Sequence, residues 1–399
     1  MQLVEQHVIG KNDSRWGAID SAAFASKNLY NAANYRIRQE FIFHHRYLSY
    51  PEMDSKMQET EEYRALPAKV AQQVLIHLDR NWKSFFVALS EYEQHPAKFL
   101  GRPKLPQYKP KLSGRNLLCY TKQAISQPQL EAGFIKPSQL EIVVQTKQSE
   151  VNQVRIVPRK THYVVEVVYE RLETSSPVDP NLYAGVDMGL NNLAAVASNK
   201  PGFVPFLVNG RPLKAQNQFY NKQRARLQSQ LPERERGTSQ RIERLTDQRN
   251  RRINHELHTA SRRLIDYLVS EGIGTLVIGK NSNWKQEVSL GKRNNQHFVS
   301  MPHARFVSML SYKAQLKGIV VIQTEESYTS KCSFLDQEPI EKRDTYMGTR
   351  VHRGLFRSAG GRIFNADING AFNIIRKVAP NAWRNGVEGV VVHPVKVTL

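Results

Sequence analysis

The chain has 399 residues, and its 57 Lys and Arg against 36 Asp and Glu give a formal net charge of +21. This length predicts two or three domains, and a hydrophobic share of 40% excludes a broadly disordered chain. So large a basic excess favours a polyanionic partner, most commonly nucleic acid, over a basic surface that binds nothing. Because the two cysteines lie far apart and no long apolar run occurs, we expect no disulfide framework, signal peptide or membrane span.

The N-terminal half is predicted to combine helices with a small β domain. Residues 1–20 indicate a short strand and a turn, and residues 21 to about 95 indicate helices. Apolar residues at helical spacing predict a core-facing stripe formed by Val70, Val74, Leu78 and Phe85. Between about 117 and 172, short stretches rich in Val, Ile and Tyr predict an antiparallel barrel or sandwich that the first strand can complete.

A proline-rich basic tract, GRPKLPQYKPKLSGRN, lies between these two parts, and its prolines exclude a regular helix. Alternation of basic residues with prolines and a tyrosine favours an extended segment along a phosphate backbone, with an aromatic ring for stacking. The alternative is a charged linker. The residues predicted to bind nucleic acid here are Arg102, Lys104, Tyr108 and Lys109.

The C-terminal half alternates predicted strands and helices. LYAGVDMGLNNLAAVA (182–197) predicts a hairpin, 214–270 predicts long basic helices, and GIGTLVIG and GIVVIQTEES predict two further strands. A loop-rich basic segment (331–364) then precedes the helix that NADINGAFNIIRKV indicates. The arginines of 214–270 outnumber the neutralising acids, which favours phosphate contact over an ordinary solvated helix. They are Arg244, Arg249, Arg251, Arg252, Arg262 and Arg263.

Acidic residues lie at the ends of three predicted elements. Asp187 follows an apolar strand, where a carboxylate needs a partner such as a divalent metal, although it could also cap the hairpin turn. Asp367 lies near a helix start, where it or Asn365 could be the N-cap. Glu325 and Glu326 are adjacent at a strand end, so at most one of them faces a given site. Jointly, three such acids are the minimal set for two Mg²⁺ ions that cleave a phosphodiester.

The chain contains GVDMGLNNLA, two glutamates before YTSKCS, and NADINGAFNI. These three stretches resemble the three RuvC motifs of transposon-encoded TnpB proteins, the compact relatives of type V CRISPR effectors. The resemblance extends over most of the chain and includes LPAKVAQQVLIHLDRNWKSFF, FLGRPKLPQYK and INHELHTASRRL. It implies an α/β fold, with an RNase H-like (RuvC) nuclease domain and a wedge-like β-barrel domain that carries a helical recognition insertion. The implied ranges are 1–20 and 101–180 for the barrel, 21–100 for the recognition domain, 181–330 for the first part of the nuclease, 331–364 for a basic insertion that binds target nucleic acid, and 365–399 for the third motif and tail.

The resemblance also implies an activity, namely cleavage of double-stranded DNA beside a short motif that the protein reads, while a guide RNA from a transposon end or a CRISPR array reads the rest. Asp187, Glu326 and Asp367 would be the catalytic residues and the ligands of two Mg²⁺ ions, for which Mn²⁺ can substitute. We expect one protein per RNA in the prokaryotic cytoplasm, near the nucleoid and away from membranes. The alternatives are a nuclease-inactive RNA-guided repressor and a guide-independent transposase or resolvase of the RNase H fold.

One departure from the family pattern concerns the second acid. The usual glutamate follows a strand like TLVI, where this chain has Gly279, and that residue favours the inactive alternative. Some TnpB proteins and the eukaryotic Fanzor relatives instead place the glutamate just before the TS of a zinc-finger region. Glu326 lies three residues before Thr329 and matches that arrangement, so it is the predicted second acid, with Glu325 in reserve.

The other departure concerns the zinc finger. The family's paired CxxC ligands are reduced here to Cys332, which together with His352 cannot supply four ligands, so we expect no structural zinc. The segment 331–364 should instead be held by packing of Phe334, Leu335, Tyr346, Leu355 and Phe356. Its basic residues Lys331, Arg353 and Arg357 are predicted to bind nucleic acid, and Lys342, Arg343 and Arg350 are available for contact with DNA as well.

Overall fold

The computed structural model describes residues 1–232, 237–280, 301–352, 354–384 and 386–398. The chain divides into two compact units, Met1–Arg171 and Leu172–Leu399. The boundary predicted at residue 180 falls inside a strand of the second unit, β7 (Asp179–Asp187). Among the described residues, no helix combines the length and the apolar character needed to cross a lipid bilayer.

The first unit combines long helices with short strands. Its helices are α1 (Trp16–His44), α2 (Tyr50–Met57), α3 (Glu61–Arg64), α4 (Ala68–Gln94) and α5 (Gln127–Glu131), with 3₁₀ turns at Pro96–Lys98 and Lys122–Ala124. Its strands are β1 (Gln2–Gly10), β2 (Leu118–Thr121), β3 (Phe134–Ile135), β4 (Val144–Gln145), β5 (Gln153–Pro158) and β6 (His162–Glu170).

The main sheet of this unit is antiparallel, in the order β1-β6-β5-β2. β1 pairs with β6 along its whole length, from Gln2 opposite Glu170 to Gly10 opposite His162, so the first strand completes a sheet made by the later ones, as expected. The four strands form an open row, and a closed barrel remains a proposal. Helix α1 begins at Trp16, earlier than the predicted residue 21. The turn after β1 is short, because the carbonyl of Asp13 accepts the Trp16 N–H at 2.9 Å.

The helices of the first unit are held by the apolar stripe of α4. Val70, Val74 and Leu78 are buried, which confirms the predicted core-facing stripe. Phe85 is only partly buried, and its ring packs edge to face on Trp82 at 6.0 Å. The stripe therefore fixes α4 against α1, whose residues Leu29, Ala33 and Ile37 belong to the same core.

The second unit alternates strands and helices. Its strands are β7, β8 (Asn192–Ser198), β9 (Phe206–Asn209), β10 (Ile273–Gly279), β11 (Val320–Thr324), β12 (Thr349–His352), β13 (Leu355–Arg357), β14 (Ile363–Asn365) and β15 (Val395–Val397). Its helices are α6 (Arg211–Ser229), α7 (Gln240–Ser270), α8 (His303–Gln315) and α9 (Ala366–Val378), with a 3₁₀ turn at Pro380–Trp383.

A six-stranded mixed sheet, in the order β11-β10-β7-β8-β9-β15, organises this unit. β7, β8 and β9 are antiparallel neighbours, whereas β10 runs parallel to both β7 and β11. Ala194 and Val196 face the core of α7 and α8, whereas Ala195 and Ala197 face the core of α9, as a period of two requires. Because β7, β10 and β11 run in one direction, their carboxyl ends meet at one edge of the sheet.

The segment 331–364 is more regular than the loop-rich stretch we predicted. Strands β12, β13 and β14 form a small antiparallel sheet in that order. Phe356 lies opposite Phe364 in the β13–β14 pair, and both rings are buried, which gives this short sheet a hydrophobic face. β14 runs directly into α9, so the small sheet is joined to the helix that bears Asp367.

Candidate active site

Asp187 is the last residue of β7, and its carboxylate lies against the backbone of α9. Its Oδ2 is 2.5 Å from the point that a Cβ on Gly370 would occupy, so only a glycine at this turn of the helix leaves room for the acid. Burial, followed by the nearby carboxylates of Glu326 and Asp367, raises the pKa of Asp187 well above its ordinary value. The three acids predicted from sequence are therefore electrostatic neighbours in the folded chain.

Asp367 lies in the first turn of α9 without being its N-cap. Asn365 is the cap, since its Oδ1 accepts the backbone N–H groups of Asp367 at 2.9 Å and Ile368 at 3.1 Å. The carboxylate of Asp367 instead accepts a 2.7 Å hydrogen bond from Nδ2 of Asn192, the first residue of β8. The alternative left open by the sequence is thus resolved, because the cap and the acid are two different residues.

Glu326 turns inward just after β11, whereas its neighbour Glu325 is exposed. A Cβ on Gly279, the last residue of β10, would lie 2.5 Å from Oε1 and 2.6 Å from Cγ of Glu326. The glutamate therefore fills the space in which a side chain at position 279 would begin. Burial raises the pKa of Glu326 to about 7, against the opposing effect of the Lys377 ammonium.

The loop that follows Glu326 is held by the buried polar face of α9, which sequence reasoning missed. Thr329 donates both its N–H (3.1 Å) and its hydroxyl (2.8 Å) to the Glu326 carbonyl, which makes a tight turn. Nδ2 of Asn373 donates to the carbonyls of Thr329 at 2.9 Å and Cys332 at 2.8 Å. Nδ2 of Asn369 donates to the Cys332 carbonyl as well, at 2.9 Å. The signal was present in NADINGAFNI, where two asparagines four residues apart share one face of a helix.

Arg350 brings a cation to this acidic region, although the sequence analysis did not assign it to the site. In β12, Arg350 lies directly opposite Phe356, and residues opposite each other in an antiparallel pair share a face. Phe356 is buried, whereas Arg350 itself is exposed, like the rest of β12. The Arg350 guanidinium also lowers the pKa of Asp187 against the larger effects that raise it. Arg357 is exposed as well and belongs to the other face of the same hairpin, opposite Thr349.

The side chains present suit a hard divalent cation by their chemistry. Three carboxylates supply only oxygen donors, which Mg²⁺ and Mn²⁺ prefer, and their crowding leaves negative charge that a cation would offset. Within the ranges that the structure describes, however, no group of three or more His, Cys, Asp or Glu is arranged to hold a metal ion. Asp187, Glu326 and Asp367 thus lie near one another, but their carboxylates are not arranged around a single metal position.

The predicted packing of the segment around Cys332 is confirmed for two of its five apolar residues, Phe334 and Phe356, which are buried. The Phe334 ring is buried, stacks on Phe372 at 4.2 Å with an interplanar angle of 11°, and meets Trp383 edge to face at 4.9 Å. Phe356 packs on Phe364 at 5.7 Å, whereas Leu335, Tyr346 and Leu355 are only partly buried. Cys332 is buried and its thiol donates to the Glu341 carbonyl at 3.9 Å, while His352 is exposed.

In the first unit, the proline-rich tract lies along α1 and is anchored by that helix. Asn31 makes two 2.9 Å hydrogen bonds to the backbone of Lys109, and Asn34 donates to the Pro106 carbonyl at 3.0 Å. The Lys27 ammonium donates to the Lys111 carbonyl at 2.7 Å. Of the predicted nucleic-acid contacts in this tract, Arg102, Lys104 and Tyr108 are exposed, and Lys109 is partly buried over the Tyr30 ring.

In the second unit, most of the predicted arginines line the outer surface of α7. The exposed ones are Arg244, Arg251, Arg252, Arg262 and Arg263. Arg249 differs, because its guanidinium binds Oδ1 of Asn217 at 2.8 and 2.6 Å and lies over the Tyr220 ring. These contacts make Arg249 a packing residue between α6 and α7, and burial lowers its pKa. Lys331 and Arg357 are exposed in the 331–364 segment, and Arg353 lies outside the described residues.

Two family models match separate parts of the chain. Residues 162–285 match a family described as "Probable transposase" (OrfB_IS605). Residues 303–374 match a family described as "Cas12f1-like, TNB domain". Together the two matched ranges include Asp187, Glu326 and Asp367.

A curated relative and a solved structure extend the similarity over most of the chain. The "TnpB-like protein ORF457" of Acidianus two-tailed virus is 25% identical over 415 residues, which cover 94% of this chain and 84% of the viral protein. The solved Cas12f1-sgRNA-target DNA complex contains a chain with the same fold, at a TM-score of 0.55 and 14% identity, with 90% of this chain and 82% of that chain covered. The family matches and the viral relative thus support a TnpB-like protein, and the solved structure shows that the fold is shared with a Cas12f1 chain.

Proposed function

We propose that this chain is an RNA-guided DNA endonuclease whose catalytic acids are Asp187, Glu326 and Asp367. Its TnpB-like character supports an RNA-guided nuclease function in general. The observation that carries the finer proposal is the meeting of these three acids where β7, β11 and α9 come together. The order of the sheet, with three antiparallel strands followed by two parallel ones, supports an RNase H-like nuclease core.

The proposed domain ranges follow from the same assignment. A wedge-like barrel would comprise 1–20 and 101–180 around a helical recognition domain at 21–100. The nuclease domain would comprise 181–330 and 365–399, interrupted by a target-binding insertion at 331–364. The four-stranded sheet and the helices α1–α4 of the first unit are compatible with this arrangement.

Each acid would have a defined part in the reaction. Asp187, Glu326 and Asp367 would hold a pair of Mg²⁺ ions, which when bound activate water and stabilise the leaving oxygen of a phosphodiester. The amide of Asn192 fixes the side chain of Asp367, and α9 fixes the loop after Glu326. Arg350 would hold the negatively charged phosphodiester beside the acids, since its guanidinium is near enough to lower the pKa of Asp187.

The proposed partners are a guide RNA and double-stranded target DNA. The similar Cas12f1 chain was solved in a complex with sgRNA and target DNA. In this chain, the exposed arginines of α7 extend from Arg244 to Arg263, a distance of roughly 30 Å along the helix axis. A cationic row of that length suits contact with successive phosphates of a nucleic-acid strand. A transposon end and a CRISPR array remain equivalent sources of the guide.

A nuclease-inactive, RNA-guided repressor is the second candidate, and Gly279 is the residue that favours it. Against this candidate, the carboxylate of Glu326 fills the space beside Gly279, so the second acid has a replacement. A guide-independent transposase or resolvase would share the same nuclease core but would not retain a bound RNA.

The deciding experiment uses the full chain purified with the RNA that it retains. A plasmid that matches the guide is incubated with Mg²⁺ and the wild type, Asp187→Ala, Glu326→Gln or Glu325→Gln. We expect the wild type and Glu325→Gln to cut, and Asp187→Ala and Glu326→Gln to bind the target without cutting. Target binding without cutting by the wild type would support the repressor. Cutting by a preparation free of RNA would support the guide-independent enzyme.

A further inference from the structure

Glu338 is a fully buried carboxylate that the proposed chemistry does not use. Its Oε2 accepts the backbone N–H of Ser333 at 2.7 Å, and its Oε1 accepts the backbone N–H of Met347 at 3.0 Å. Both carboxylate oxygens are thus engaged by main chain, from two stretches that are fourteen positions apart in the sequence numbering. A buried charged acceptor held by two N–H groups is costly to remove, since each donor would be left unpaired.

The surroundings of Glu338 are built to hold it in place. The guanidinium of Arg376 in α9 donates to the carbonyls of Glu338 at 3.0 Å and Gln337 at 2.9 Å. The N–H of Glu338 donates to the Ser333 carbonyl at 3.1 Å, so backbone and side chain close the same short loop. Arg376 also supplies a positive charge beside the buried carboxylate.

One of the two stretches that Glu338 joins follows Glu326, and the other precedes the hairpin that carries Arg350. Ser333 belongs to the loop that descends from Glu326 and is clamped by α9. Met347 immediately precedes the hairpin β12–β13, which carries Arg350. Next to Met347, a Cβ on Gly348 would lie 2.9 Å from the Ser333 Cβ, so the two stretches are also in close contact.

We propose that Glu338 is a positioning residue, whose carboxylate locks the Arg350 hairpin to the loop that carries Glu326. This inference rests on the proposed function for its catalytic consequence, since Arg350 and Glu326 act together only if the chain cleaves DNA. The lock itself is a property of the fold and can be measured without any cleavage.

The first arm of the test is amide hydrogen exchange of the full chain in the absence of metal. Glu338→Gln keeps the size of the side chain but turns an amide N–H₂ group toward one of the two donors. We expect the amides of Ser333, Met347 and the β12–β13 ladder to exchange between about 10- and 100-fold faster, since a hydrogen bond to a charged group is lost. Exchange in α1 and α4, and in the control Glu341→Gln with its exposed carboxylate, should match the wild type.

The second arm is a double-mutant cycle on the cleavage rate, with Glu338→Gln, Arg350→Gln and the double variant. If Glu338 acts through Arg350, the double variant is no slower than Arg350→Gln alone. Independent, multiplying effects would overturn the proposal, and so would unchanged exchange at Ser333 and Met347. If Glu338→Gln does not fold, Glu338→Asp replaces it in both arms, because the shorter side chain reaches only one of the two donors. A wild type that never cuts would refute the proposed function, while the exchange arm still decides whether Glu338 forms the lock.

Discussion

The carboxylate of Glu326 and a side chain on Gly279 exclude each other. The Oε1 atom of Glu326 lies 2.5 Å from the point where a Cβ of residue 279 would stand, closer than two such atoms approach without displacement. A side chain that begins at the end of β10 would therefore occupy the space that the Glu326 side chain fills from the loop after β11. This relationship supports our proposal that Glu326 takes the place of the glutamate missing from the second motif.

Gly279→Ala should reduce cleavage on the order of 100-fold, because a displacement of about 1 Å in a catalytic group has effects of that size. Single-turnover cleavage rates with saturating enzyme measure the effect, and target binding should be unchanged. Gly10→Ala is the control, since a Cβ there meets nothing within 4 Å. The paired change Gly279→Glu with Glu326→Gly should recover part of the rate. Full activity in Gly279→Ala would contradict the steric relationship.

Glu326→Gln should stabilise the metal-free chain at pH 8 and leave it unchanged at pH 4. The folded-state pKa of Glu326 is raised from 4.5 to about 7, so its contribution to stability is complete below pH 4.5 and is lost as the pH rises through 7. The glutamine variant escapes this loss, which amounts to at most about 3 kcal/mol of unfolding free energy. Urea unfolding at both pH values measures it, with the exposed Glu325→Gln as control. A wild type as stable as Glu326→Gln at pH 8 would show that burial does not disfavour the charged form of Glu326.

Asn365→Ala should mainly lower stability, whereas Asp367→Asn should mainly abolish cleavage. Asn365→Ala removes the cap that binds two N–H groups of α9 and should lower the unfolding free energy by about 1 kcal/mol. Asp367→Asn leaves that cap in place, so it should abolish cleavage with little loss of stability. Thermal unfolding and cleavage assays on both variants make the comparison. A larger loss of stability in Asp367→Asn than in Asn365→Ala would reverse the assignment.

Reversing the charge of Arg251 and Arg252 should weaken nucleic-acid binding and reduce its salt dependence. Each phosphate contact that is lost lowers the slope of log K against log salt by about one. Arg249→Gln is the contrasting variant, because Arg249 binds Asn217 between two helices and its loss should lower stability instead. Filter binding at several salt concentrations gives the slopes. An unchanged slope after reversal of Arg251 and Arg252 would mean that these side chains face solvent in the complex.

The strand and helix pattern of the second unit could be predicted because apolar periodicity decides it, as in GIGTLVIG, which forms a fully buried strand. The acids Asp187 and Asp367 could be predicted because each interrupts an apolar element with a charge. The packing of Arg249 against α6 could not be predicted, since the exposure of a helical residue depends on neighbouring elements and not on composition. The approach of Arg350 to the acids and the lock at Glu338 depend on strand register and long-range backbone contacts, which spacing along the chain does not encode.

Helix α9 carries Asp367, makes room for Asp187 at Gly370, and clamps the loop after Glu326 through Asn369 and Asn373. It is synthesised long after the strand that ends at Asp187. A nascent chain that has formed β7 to β11 but lacks this helix would hold two of the acids without the third and without the clamp. Under the proposed function, a chain would therefore gain the capacity to cut only after translation has passed this helix, and an unfinished chain would leave the DNA of its own cell intact.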